Sequence, residues 1–100
     1  MTIQKHFREV FYYKDYYLNF FNSQGPEVQA KFNWTLNLIA SLDRVPKKYF
    51  LHIENTVGIY EIRVQLGNDI FRIFAFFDKG KLIIIANAFQ KNLKRHPERK

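Results

Sequence analysis

No cysteine occurs among the 100 residues, so neither a disulfide framework nor a thiolate metal site is available. The three histidines, His6, His52 and His96, are scattered, and no HxxxH or carboxylate spacing accompanies them, so no metal is expected. Absent too are GxGxxG, the phosphate-binding P-loop and the GxSxG elbow, which removes the common nucleotide-binding and hydrolase signatures. Apolar runs such as Leu82 to Ala86 are strand-sized, far short of the roughly 18 residues that span a bilayer. The opening Met1-Thr2-Ile3-Gln4-Lys5-His6 has no apolar stretch of signal-peptide length. A soluble, cytoplasmic protein with no membrane partner is the expectation.

Acidic residues are also scarce. Nine Asp and Glu stand against sixteen Lys and Arg, a net charge of +7. The excess is uneven: residues 1–60 carry a net of +2 and residues 61–100 a net of +5. A polyanion is the obvious partner for such a chain, although charge of this kind also keeps an aromatic-rich protein in solution. Aromatic residues are plentiful, with eleven Phe, six Tyr and one Trp, and they supply the large buried areas a small core needs. No repeat, linker or low-complexity tract interrupts residues 1–100, so one domain is expected.

Along the chain, Arg8 to Tyr13 reads as a short strand dense in β-branched and aromatic residues. Asp15 is placed to cap a helix over Tyr16 to Asn22. Gly25-Pro26 breaks the chain and sets Pro26 as the first residue of a second helix. That helix runs to about Leu42, with Val28, Phe32, Leu36, Ile39 and Leu42 forming one apolar stripe. Residues 47–58 read as irregular, with a turn at Asn55-Thr56-Val57-Gly58. Ile59 to Leu66, Asp69 to Asp78 and Lys81 to Phe89 read as three strands. Gly67-Asn68 and Lys79-Gly80 would join them as two-residue hairpin loops, with glycine supplying a positive φ.

Such turns fix the register. On one face they place Tyr60, Ile62 and Val64 across from Ala75, Ile73 and Phe71, which face Ile84, Ala86 and Ala88. This face is apolar and should receive the helices. The other face should hold Ile59, Phe76, Ile83, Phe74 and Ile85 at one end. At the other end come Glu61, Arg63, Gln65, Arg72, Asn87 and Phe89. Here Arg63 lies across from Arg72, Arg72 across from Asn87, and Ile70 across from Phe89, with Lys91 just past the strand end. The expected fold is therefore α+β: two N-terminal helices packed on one face of a small, mainly antiparallel four-stranded sheet.

Like charges directly opposite on a sheet are destabilising. Two guanidinium heads about 6 Å apart repel by about 0.7 kcal/mol in water and by about 3 kcal/mol at an intermediate dielectric. A pair kept in mid-strand points to an anion, and a phosphodiester fits, because arginine offers fixed donor forks and never loses its proton. Phe89 and Ile70 could pack against a splayed base. Glu61, a diagonal neighbour of Arg72, offers the competing reading of an ordinary surface charge network. The basic end KNLKRHPERK, with Lys94 and Arg95, reads either as a solvated tail or as an RNA-contacting arm.

The segment from YEIR at 60–63 through Asp69-Ile-Phe-Arg-Ile and the Asp78-Lys-Gly-Lys turn to Phe89-Gln90-Lys91 and Pro97 closely resembles the C-terminal core of RelE/HigB-like toxins. These belong to bacterial type II toxin–antitoxin modules, and more narrowly the segment looks like the branch often labelled phage-derived host-inhibition proteins. Leu42-Asp43-Arg44-Val45-Pro46 and Tyr49-Phe50 share that likeness. The resemblance implies a RelE-like fold and metal-independent cleavage of mRNA, commonly on the ribosome, with a cognate antitoxin as partner and no cofactor. It implies that Arg63 and Arg72 bind the scissile phosphate and that Lys91 supports the transition state or the leaving oxygen. Asn87, Phe89, Gln90, Lys94 and Arg95 would then contact RNA.

Relatives often carry Tyr or His where this sequence has Phe89, and their small glycine before it is Ala88 here. Phenylalanine moves no proton, so Lys91 or Glu61 does that work or cleavage is slow. The family commonly continues into a C-terminal helix, whereas this sequence stops at Lys100, so antitoxin docking or ribosome placement is expected to differ. The alternative to a nuclease is a catalytically weak or inactive member of the same fold that binds RNA or ribosomes and its antitoxin.

Overall fold

The computed structural model describes residues 8–78 and 82–91. Its elements are β1 (Glu9–Tyr12), α1 (Tyr16–Asn22), α2 (Pro26–Ser41), β2 (Phe50–His52), β3 (Ile59–Leu66), β4 (Asp69–Asp78) and β5 (Leu82–Lys91). The strands make one sheet in the order β1-β5-β4-β3-β2. β1 runs parallel to β5, while the other neighbours are antiparallel. The α+β class and the two helices agree with the sequence reading. The strand count does not: among the described residues there are five strands rather than four, in a mixed sheet whose one parallel pair is β1 with β5.

The additional strand is β2, in the stretch read as irregular. Three residues are too few for alternation to show. Aromatic packing holds them, with Phe50 stacked on Tyr60 at 4.6 Å and edge-on to Phe77 at 5.2 Å. Such cross-strand aromatic pairs are a main source of sheet stability.

α2 starts as its sequence suggests, with Gly25 in extended backbone and Pro26 opening the helix. Asp15 stands at the N-cap of α1, but its side chain makes no cap hydrogen bond. The far end of α2 has no basic residue in its last turn. Arg8, beside β1, fills that role. Its guanidinium donates to the carbonyls of Ile39 (2.9 Å), Leu42 and Asp43 (2.8 Å) and lies 5.4 Å from the Phe77 ring centre. A buried cation on the last carbonyls of a helix satisfies acceptors that have no intrahelical partner and complements the helix dipole.

The core joins Tyr17 of α1 and Phe32, Leu36 and Ile39 of α2 to Ile62, Val64, Phe71, Ile73 and Ala75 of β3 and β4. β3 and β4 pair in the expected register, from Ile59 opposite Phe76 to Leu66 opposite Asp69, about a turn in which Gly67 has φ +61°.

β5 departs from the expected register. Asp78 pairs with Leu82, so three residues separate the strands where two were expected, and these lie outside the described residues. A bulge then shifts the pairing between Phe74 and Ala75: Phe74 faces Asn87 and Ala75 faces Ile85, leaving Ala86 as the extra residue. An extra residue inverts alternation on one side of it. Ile83 and Ile85 are consequently buried against the helices, and Ile84, expected there, lies in register with Phe76 on the other face. Beyond the bulge the expected phase returns, with Ala88 buried opposite Ile73.

Candidate functional site

The face of the sheet away from the helices carries the charged cluster. Arg63 sits directly across from Arg72. The Arg63 amide donates to the Tyr49 carbonyl at 2.9 Å, so its backbone groups point away from β4. The two arginines thus form a non-hydrogen-bonded pair, the closer kind, with Cα atoms about 4.5 Å apart.

Glu61 lies opposite Phe74, diagonal to Arg72. One of its oxygens, Oε2, accepts a hydrogen bond from Arg63 Nε at 3.0 Å and lies 3.2 Å from Arg72 Nε. The second contact is an ion pair without hydrogen-bond alignment, and Arg72 Nε is buried with no acceptor. One carboxylate oxygen therefore serves two guanidiniums, and the trio keeps a formal excess of one positive charge. The side chain of Glu61 is 11% exposed, those of Arg72 and Arg63 27% and 44%. The carboxylate is thus the most buried member of the trio, and the two guanidiniums are more open to solvent.

The bulge moves the remaining residues. Arg72 faces Phe89, not Asn87, because β5 is displaced by two positions at that point. Asn87 is opposite Phe74, and its Oδ1 accepts from the Ala88 amide at 2.8 Å, within the irregular stretch. Phe89 is exposed and its ring lies 5.4 Å from that of Phe74, so an aromatic pair adjoins Arg72. Ile70, expected across from Phe89, faces Lys91 instead. Lys91 is the last residue of β5 rather than a position beyond it, and its side chain lies outside the described residues. Gln90 pairs with buried Phe71 and donates from Nε2 to Asp69 Oδ1 at 3.2 Å, which puts it on the helix side of the sheet, away from the arginines. Lys94 and Arg95 lie outside the described residues.

The sequence reading assigned no site role to Lys31, Trp34, Lys48 or Tyr49. A hollow of about 400 Å³ beside Arg63 is lined by Lys31, Lys48, Tyr49 and Gln65 among others. Lys31 and Trp34 lie off the apolar stripe of α2 and three residues apart, so they share its outer face. A solitary, solvent-facing tryptophan beside a lysine was the available signal. That Lys48 and Tyr49 join them is a tertiary fact.

Among the described residues no group of three His, Cys, Asp or Glu side chains is gathered as a metal would require. His52 is in β2, with Nε2 2.9 Å from the Thr56 carbonyl oxygen. Among the described residues no helix is long and apolar enough to cross a membrane.

No match was found among curated proteins or among solved structures. A family model does match, over residues 19–100, and its description is "Phage derived protein Gp49-like (DUF891)". Helix α2, every strand after it and both arginines fall within that span. The chain belongs to this Gp49-like family, which includes toxins of toxin–antitoxin modules.

Proposed function

We propose that this protein is the toxin of a toxin–antitoxin module and acts as a metal-independent endoribonuclease on mRNA, as one domain and in association with the ribosome. The observation that carries the reading is the cross-strand pair of Arg63 and Arg72 sharing a single oxygen of Glu61. In the proposed reaction the ribose 2′-hydroxyl gives its proton to solvent water and its oxygen attacks the adjacent phosphorus. The bond to the 5′-oxygen breaks, and that oxygen takes up a proton, leaving a cyclic phosphate and a free 5′-hydroxyl. Arg63 and Arg72 hold the non-bridging oxygens and neutralise the charge that grows on them. Loss of one such donor typically costs about 10²–10³ in rate.

Glu61 fixes the two guanidiniums and limits their repulsion. Lys91 is assigned to the leaving oxygen. Phe89 offers a base-stacking surface beside Arg72, with Asn87 further along the same strand; Lys94 and Arg95 extend the RNA contact. The antitoxin would silence the toxin by covering this face.

Primer-extension mapping of transcripts after expression of the wild type and of Arg72→Ala tests the proposal. Discrete cuts are expected with the wild type and their loss with the variant, at unchanged folding. Equal growth arrest and identical cuts from Arg63→Ala and Arg72→Ala would overturn it. Phe89 favours a second reading, since its exposed ring stands beside Arg72 and carries no proton. A binding-only member of the family would then bind RNA in a salt-sensitive manner and cut nothing in the presence of ribosomes.

A further inference from the structure

The hollow next to Arg63 carries two cations, Lys31 and Lys48, that the proposed phosphate seat does not use. They line it with Arg63, and among the described residues no acidic side chain does. Arg63 is tied to Glu61, but among the described residues neither Lys31 nor Lys48 has an ion-pair partner. Glu27, one helical turn before Lys31, lines the adjoining shallow depression together with Lys31 and Trp34.

Both lysines rest on aromatic rings. Lys31 Nζ is 4.4 Å from the Trp34 ring centre, and Lys48 Nζ is 5.1 Å from that of Tyr49. The two rings meet edge to face, with centres 5.8 Å apart. This ties α2 to the segment leading into β2. About half of Trp34, 47%, remains open to solvent.

Cations interleaved with exposed aromatic rings match what a single-stranded nucleic acid presents, phosphates alternating with unstacked bases. A duplex would offer phosphates but no base faces. We propose that this surface is a second subsite for single-stranded RNA, continuous with the seat at Arg63 and Arg72. Lys31 and Lys48 hold a phosphate flanking the scissile one, and Trp34 stacks the base attached to it. Arg63 borders both places and sets the direction in which the strand leaves the cluster. The inference rests on the RNA-cutting reading but concerns a separate set of side chains.

Trp34 is the single tryptophan of the chain, so its emission reports the subsite directly. The probe is a ten-nucleotide 2′-O-methyl oligoribonucleotide, which has no 2′-hydroxyl and cannot be cut. Titration is expected to quench Trp34 emission. Anisotropy of the labelled probe is expected to show affinity reduced about tenfold or more by Trp34→Ala, with partial recovery in Trp34→Phe. In Lys31→Ala/Lys48→Ala the slope of log affinity against log salt should fall by about 0.7 for each phosphate that the protein no longer neutralises.

Probe binding that depends on Arg63 while Trp34 emission, affinity and salt slope ignore these substitutions would overturn the subsite and leave the nuclease reading intact. Quenching by an acidic peptide but not by the probe would also overturn it. Quenching and lysine dependence in a protein that cuts no transcript would support the subsite and sink the nuclease.

Discussion

Adjacent residues of β4 lead different lives on the two faces of one sheet. Ile73 is wholly buried against the helices, whereas Arg72, beside it in the chain, turns to the open face and shares Glu61 with Arg63. The covered face is built from interchangeable apolar groups whose value is the area they remove from water. The open face is built from particular charges whose value depends on what they meet. Under the proposed function, the alternation of a single strand separates stability from recognition.

Paired substitutions at neighbouring positions would break that separation most directly. Ile73→Ala is expected to cost about 2–5 kcal/mol in thermal or denaturant unfolding through reduced burial and a residual cavity. Arg72→Ala should leave the unfolding midpoint nearly unchanged while slowing cleavage by about 10²–10³. A comparable stability loss in both variants would show that the faces are not independent.

Arg8 extends the test to a polar member of the covered side. Arg8→Met removes the donor from three carbonyls at the end of α2 and is expected to cost about 2–3 kcal/mol. RNA affinity of the folded fraction should not change.

Glu61→Gln sharpens the comparison on the open side. The partly exposed arginines limit the stability loss to about 1 kcal/mol. RNA binding by anisotropy should tighten several-fold, because the trio gains a positive charge. Weaker binding would show that the carboxylate itself is needed at the RNA contact.

The smallest expected effect is at Tyr17, buried with a hydroxyl that has no hydrogen-bond partner among the described residues. Burial raises its pKa well above the usual tyrosine value, and the neighbouring Tyr12 adds to the rise. The fold therefore favours the neutral phenol. That contribution is complete below about pH 10, where the unfolded side chain titrates, and is lost as pH rises toward the folded value. Tyr17→Phe should add about 1 kcal/mol near neutrality by removing an unsatisfied hydroxyl. It should also flatten the alkaline decline in unfolding temperature, with a smaller remainder from Tyr12, whose pKa burial also raises.

The pairing of β3 with β4 was legible because a glycine turn and strict alternation agree, and it brought Arg63 opposite Arg72. The path of β5 was not. Leu82-Ile83-Ile84-Ile85-Ala86 is apolar at every position, so alternation says nothing about which side chains face inward, and a bulge at Ala86 leaves no compositional trace. Gln90 entered the RNA contacts through the family resemblance rather than through the strand register, and the structure puts it on the helix side. β2 hid in three residues, and β1 announced itself as a strand without revealing that it pairs in parallel with β5. The hollow beside Arg63 joins a helix to the approach of an edge strand, and local sequence cannot encode such a meeting.

The seat of β1 beside β5 also governs how the chain is made. Synthesis delivers Glu9 long before its partner Leu82, and strand pairing across such sequence separation is slow to form. Until β5 emerges, β1 has no neighbour to receive it and β4 lacks one side of its ladder. A nascent chain can close the β3–β4 hairpin, and with it bring the two arginines together, well before the sheet is whole. Assembly of the described sheet is thus timed by β5, the latest made of its strands.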